Sequence, residues 1–98
     1  MATYVIGRVT KNHDAAWVAE YLEKIEPLFL RHGAKVLCRS FAVEKLEGTE
    51  SPPAAVVLIE FPSAEHARAW YGDQDYAPLI RLRQSGSETE IELLDQTG

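Results

Sequence analysis

Five side chains in this chain have the chemistry of a working site, and none of them stands in a ready-made motif. Glu60 lies amid apolar neighbours in AVVLIEF. A carboxylate half withdrawn from water has its pKa raised and suits general acid or base work. The same group equally suits a structural ion pair with Arg8, Arg39 or Arg83. Arg39 shares a strand face with Leu37 and Phe41, where a guanidinium can grip a substrate carboxylate through two parallel hydrogen bonds or form a salt bridge. Trp70, Tyr71 and Tyr76 crowd a helix and its break. Aromatics at helical spacing ordinarily belong to a core, yet tyrosine and tryptophan carry polar handles, and a helix break often walls a pocket. Arg83, one turn after Leu79 and Ile80, is placed to close such a pocket or to serve as a helix C-terminal charge. Glu60 and Arg39 are therefore the catalytic candidates, and Trp70, Tyr76 and Arg83 the substrate-binding ones.

Other chemistries find little support. His13, His32 and His66 are scattered, with no second histidine at i+4, and no convergent ligand set for a metal or haem is visible. No metal and no cofactor is expected. Cys38, the only cysteine, reads as a small apolar strand residue and gives no internal disulfide. Gly-rich phosphate loops, nucleophile elbows and CxxC pairs are missing from the sequence.

The elements that must position these residues are organised around Ala54 to Gly72. Val56 to Ile59 is an uninterrupted, mostly β-branched run after Pro52-Pro53. Phe61-Pro62-Ser63 ends it, and Ser63 is a suitable N-cap for a helix over Ala64 to Tyr71. A strand that does not alternate predicts cover on both faces. Before it, Thr3 to Thr10 reads as a strand. Asn12 or Asp14 caps a helix that runs to about Arg31, with Val18, Leu22, Ile25 and Phe29 on its apolar stripe. Pro27 predicts a kink or restart, and Gly33 a stop. Ala34 to Glu44 reads as the second strand and Lys45 to Pro53 as a polar loop. Tyr76 to Gln84 is a short helix, Ser85-Gly86-Ser87 a turn, and Glu88 to Asp95 the last strand.

The order β-α-β-β-α-β, with right-handed crossovers, predicts an α+β, ferredoxin-like fold: a four-stranded antiparallel sheet in order 4-1-3-2 with helices on one face. At 98 residues the chain reads as one domain. The other sheet face would expose several hundred Å² of apolar surface, roughly the limit for a stable monomer. A second copy related by a two-fold axis is the economical cover. The net charge of −5 with no basic cluster argues against nucleic-acid binding. RNA-binding domains of this topology need stacking aromatics on the central strands, where this chain has Val-Val-Leu-Ile. No apolar run approaches the ~20 residues that span a membrane, and the N-terminus lacks a signal peptide's apolar core. A cytoplasmic location is expected.

YVIGRVT, HGAKVLCRS, VVLIEFPSAEHARAWY and DYAPLIRLR together resemble a family of small bacterial proteins known as domain of unknown function thirteen-thirty. The resemblance spans nearly the whole chain and is most specific in the EFPS–ARAWY–Y–R block. It departs in Ala34, where a second glycine is common, and in Cys38, where a small residue such as alanine is usual. It implies the dimeric α+β barrel superfamily, with its antibiotic-biosynthesis monooxygenases, muconolactone isomerases and haem-dependent relatives. It implies no activity. Two readings follow: a cofactor-free enzyme or binder of a small aromatic or carboxylate-bearing molecule, with a pocket between sheet and helices, or a non-catalytic dimeric structural or protein-interaction module.

Overall fold

The computed structural model describes residues 2–97. β1 (Thr3–Asn12) leads through a short 3-10 turn (Ala15–Trp17) into α1 (Val18–Arg31). β2 (Lys35–Ser40) and β3 (Ala55–Phe61) follow, then α2 (Ala64–Tyr71), α3 (Ala77–Gly86) and β4 (Ser87–Asp95). The sheet has four strands in the order β2-β3-β1-β4, antiparallel throughout. This is the expected ferredoxin-like α+β arrangement, with β1 and β3 at the centre.

The two faces of the sheet differ in cover. Opposed residues Thr3 and Phe61, Val5 and Ile59, and Gly7 and Val57 share the face that meets the helices. Val5, Ile59 and Phe61 are buried there with Ile25, Leu28 and Phe29 of α1, Ala67 and Trp70 of α2, and Tyr76 and Leu79. Fully burying each large side chain contributes about 1.5–3 kcal/mol. The alternate residues Tyr4, Ile6, Val56 and Leu58 face the other way with Leu94, and no helix lies on that side. Arg8 and Glu92 form an ion pair at its edge.

Local chemistry accounts for most boundaries. Asp14 caps the 3-10 turn by accepting from the Ala16 amide at 3.0 Å. Ser63 caps α2 by accepting from the His66 amide at 3.3 Å. Gly33 takes φ = 71°, the left-handed conformation that ends α1 without a Cβ penalty. Of the kink or restart expected at Pro27, the restart does not occur: α1 runs unbroken across it, with Pro27 exposed. Two expectations need correction. β2 ends at Ser40 rather than Glu44, since its ladder with β3 ends at the Ser40–Val56 pair. The turn expected at residues 85–87 is absent: α3 continues to Gly86 and passes directly into β4. Gly86 permits this by lying against the 3-10 turn, where its carbonyl accepts from the His13 and Asp14 amides at 2.7 and 3.1 Å.

Two β-bulges interrupt the alternation. One falls between Val9 and Lys11 of β1, the other between Val36 and Cys38 of β2. An extra residue turns every later side chain to the opposite face. Asn12 thereby pairs with Ser87, and Arg39 with Val57, both on the helix side.

Candidate functional site

Both re-aimed side chains open onto one cavity. It has a volume of about 100 Å³ and lies between the helix-facing side of the sheet and the start of α1. Its floor is Gly7, Val57 and Ile91; its roof is Trp17, Val18, Tyr21 and Leu22; Phe41 and Ala54, from the ends of the β2–β3 loop, stand at its margin. The lining is mostly apolar, interrupted by Asn12, Arg39, Tyr21, Arg83 and Thr89.

Arg83 is the unusual group. It comes from the last turn of α3 and is only 4% exposed, and its Nε has no hydrogen-bond partner among the described residues. Among the described residues no carboxylate pairs with it. A buried guanidinium without an anion is costly. Its polar company is the hydroxyls of Tyr76 and Tyr21: burial opposes the charge, the two oxygens more than offset that, and Arg83 stays protonated. Tyr21 and Tyr76 approach each other at 2.6 Å between hydroxyl oxygens. Burial raises the Tyr21 pKa, with Tyr76 and Arg83 partly opposing it. Burial likewise raises Tyr76 well above the usual phenol range, helped by Tyr21. Both are neutral hydroxyls at physiological pH.

Asn12 fixes the roof. Its Oδ1 accepts from the Trp17 indole at 2.9 Å, and Trp17 sets its ring edge-on to Tyr21 at 5.3 Å. Because an indole nitrogen only donates, the Asn12 amide oxygen must face it.

The family comparison agrees with the quoted segments. The model for Domain of unknown function (DUF1330) matches residues 2–97. The chain belongs to this family. No curated protein matches the DUF1330 chain in sequence. Among solved structures, RPA0582, a protein of unknown function from Rhodopseudomonas palustris, is 19% identical with a TM-score of 0.80, covering 99% of this chain and 83% of its own. SnoaB from Streptomyces nogalater, a cofactor-independent oxygenase, is 12% identical with a TM-score of 0.69, covering 99% and 94%. A dimeric ferredoxin-like protein of unknown function from Jannaschia sp. CCS1 is 9% identical with a TM-score of 0.73, covering 98% and 100%. At these identities the likeness is one of fold.

The five sequence candidates separate in space. Arg39 and Arg83 line the cavity together. Tyr76, fully buried, stands behind Tyr21 and reaches the cavity only through it. Trp70 is core: it stacks on Tyr76 at 4.6 Å and lies 5.4 Å from Phe61 and 5.8 Å from Phe29. Its Nε1 is buried without a partner among the described residues, and it forms no part of this cavity wall. Glu60 is opposed to Tyr4 and Lys35 on the helix-free face, so the expected shared pocket does not include it. Strand parity is the cause: Ile59 and Phe61 take the helix side, and Glu60 between them cannot.

Tyr21, Trp17 and Asn12 were not among the sequence candidates. Trp17 and Tyr21 stand one helical turn apart beside the apolar stripe of α1, and a polar-tipped aromatic pair there is the one available signal.

A second polar cluster lies at the other end of α1. His32 Nε2 meets Asp73 Oδ2 at 2.7 Å, and Arg31 reaches Asp73 at 2.8 Å and Asp75 at 2.9 Å. The His32 contact, the Asp75 backbone amide and Arg31 hold the Asp73 carboxyl down at about 2. Every member has a partner, and the cluster ties the C-terminus of α1 to the α2–α3 loop. Among the described residues no group of three or more metal-ligating side chains converges, and no helix is long and apolar enough to cross a membrane.

Proposed function

We propose that this protein is a cytoplasmic binder or cofactor-free enzyme for a small organic anion, with an apolar or aromatic body in the cavity and a carboxylate on Arg83 and Arg39. One observation carries the reading. Arg83 is 4% exposed, carries a free Nε and has no carboxylate among the described residues. A structural arginine this deep is normally paired; one held unpaired against a cavity is suited to a ligand's charge. Arg39 adds a second, more exposed cation at the same cavity.

Size narrows the class. An apolar cavity of about 150 Å³ in another protein admits benzene. The cavity of about 100 Å³ is smaller than that, so it takes no more than a single ring or a short chain and excludes a polycyclic molecule. The structural likeness to SnoaB, a cofactor-independent oxygenase, supports oxygenation without a cofactor as the chemistry of the enzyme reading.

The helix-free face is the proposed homodimer contact. Tyr4, Ile6, Val56, Leu58 and Leu94 make it apolar at its centre, and a dimeric ferredoxin-like neighbour has the same fold. Native mass spectrometry of the purified protein tests assembly and ligand together. The expected spectrum is a dimer, carrying a discrete small mass that Arg83→Met loses. Leu58→Glu is expected to give a folded monomer. A wild-type monomer in several buffers would overturn the dimer, and a ligand mass retained by Arg83→Met would overturn the anion site.

A further inference from the structure

Hydrogen accounting within the tyrosine pair deepens this reading and rests on it. Tyr76 is 0% exposed, and the one acceptor within reach of its hydroxyl among the described residues is the Tyr21 oxygen at 2.6 Å. Arg83, the other polar neighbour, has only donors to offer. The Tyr76 hydrogen therefore has one place to go. If Tyr21 donated instead, the Tyr76 hydrogen would be left buried without an acceptor, a cost of the kind native cores avoid. With Tyr76 donating, the Tyr21 hydrogen must turn away from Tyr76. Tyr21 lines the cavity, and no other acceptor for its hydroxyl occurs among the described residues.

We propose that Tyr21 donates its hydroxyl hydrogen to an anionic oxygen of the ligand, oriented by Tyr76 behind it, so that Tyr21 and Arg83 form a donor-only end of the cavity. Arg83 presents only hydrogen, and the Tyr21 oxygen already accepts from Tyr76, so its own hydrogen is what it turns to the ligand. Such an end accepts a carboxylate, or the oxygen of an enolate or phenolate, and rejects a primary amide of the same shape, whose N–H groups would meet other donors. Tyr21 thus contacts ligand, and Tyr76 is a positioning residue.

The test uses two readouts. Benzoate and benzamide are titrated against the wild type, Tyr21→Phe and Tyr76→Phe by NMR, and the ligand-free protein is examined by neutron diffraction. The wild type is expected to prefer benzoate. Loss of one hydrogen bond to a charged group should weaken benzoate about ten- to a hundredfold in Tyr21→Phe. The preference over benzamide should shrink with it. Tyr76→Phe should weaken benzoate less, about two- to fivefold, and also reduce the preference, which a merely structural role would leave unchanged. The neutron map should show the Tyr76 deuteron on the line to Tyr21. A Tyr21 deuteron pointing at Tyr76, or unchanged benzoate affinity in Tyr21→Phe, overturns the proposal and leaves the anion site intact. Failure of the wild type to bind benzoate, with Arg83 resonances unmoved, overturns the anion site and the proposal with it.

Discussion

Replacing Arg83 with methionine separates a guanidinium kept for a ligand from one kept for the fold. Methionine preserves the unbranched stem and much of the volume. Wild-type Arg83 is 4% exposed with an unpartnered Nε, so its removal relieves about 1–3 kcal/mol of unsatisfied desolvation. Against this stand the contacts with the Tyr21 and Tyr76 oxygens, about 0.5–1.5 kcal/mol each. The two terms nearly cancel, and the balance lies within about 2 kcal/mol of the wild type in either direction, in keeping with the small net effect of exchanging buried charges for well-packed apolar groups. An arginine in a structural ion pair behaves oppositely: breaking a buried pair costs about 3–5 kcal/mol. Urea unfolding of the two proteins at equal concentration resolves the difference. With an m-value of about 1–2 kcal/mol/M, each kcal/mol moves the midpoint by about 0.5–1 M. The expected variant unfolds within about 2 kcal/mol of the wild type and binds no benzoate. A loss of 3 kcal/mol or more would refute the reasoning and make Arg83 a structural residue.

Gly86→Ala should be severe. A Cβ there would meet the Asp14 carbonyl oxygen at 2.3 Å and Trp17 Cδ1 at 2.6 Å. Overpacking of about 1–3 kcal/mol, with loss of one or both amide bonds to the Gly86 carbonyl, gives a destabilisation of about 2–5 kcal/mol, measurable by chemical denaturation. Asp73→Asn should lower stability near neutral pH and flatten its loss toward acid. The wild-type carboxyl is held at about 2, below its ordinary 3.8, so its contribution is present above the ordinary value and lost as pH falls toward 2. Melting temperature against pH should therefore fall less steeply between about pH 4 and 2 in the variant. The tyrosine pair acts at the other limb. Both pKa values are raised, so unfolded tyrosines ionise first and stability falls as pH rises above about 10. Tyr76→Phe should flatten that loss in alkaline unfolding curves.

The fold was legible because its signals are local and agree. The run Val56 to Ile59, the Ser63 cap and the Gly33 stop each fix one boundary, and the β-α-β-β-α-β order leaves few topologies. The site was less legible because bulges rewrite strand parity. Strict alternation groups Arg39 with Leu37 and Phe41; the bulge between Val36 and Cys38 pairs it with Val57 at the cavity floor. Asn12 depends in the same way on the bulge after Val9. Glu60 drew attention by its apolar neighbours, although the parity set by Ile59 and Phe61 sends it to the helix-free face. Tyr21 and Tyr76 meet across 55 positions, a pairing that no periodicity encodes. The continuous apolar run of β3 predicted cover on both faces, and the helices supply it on one.

The most direct measurement is the Arg83 Nε–Hε resonance during titration with benzoate and, separately, benzyl alcohol. An anion site at Arg83 predicts a saturating shift with benzoate, one ligand per chain, and little response to the alcohol. A resonance unmoved by benzoate, or moved equally by both compounds, would contradict it.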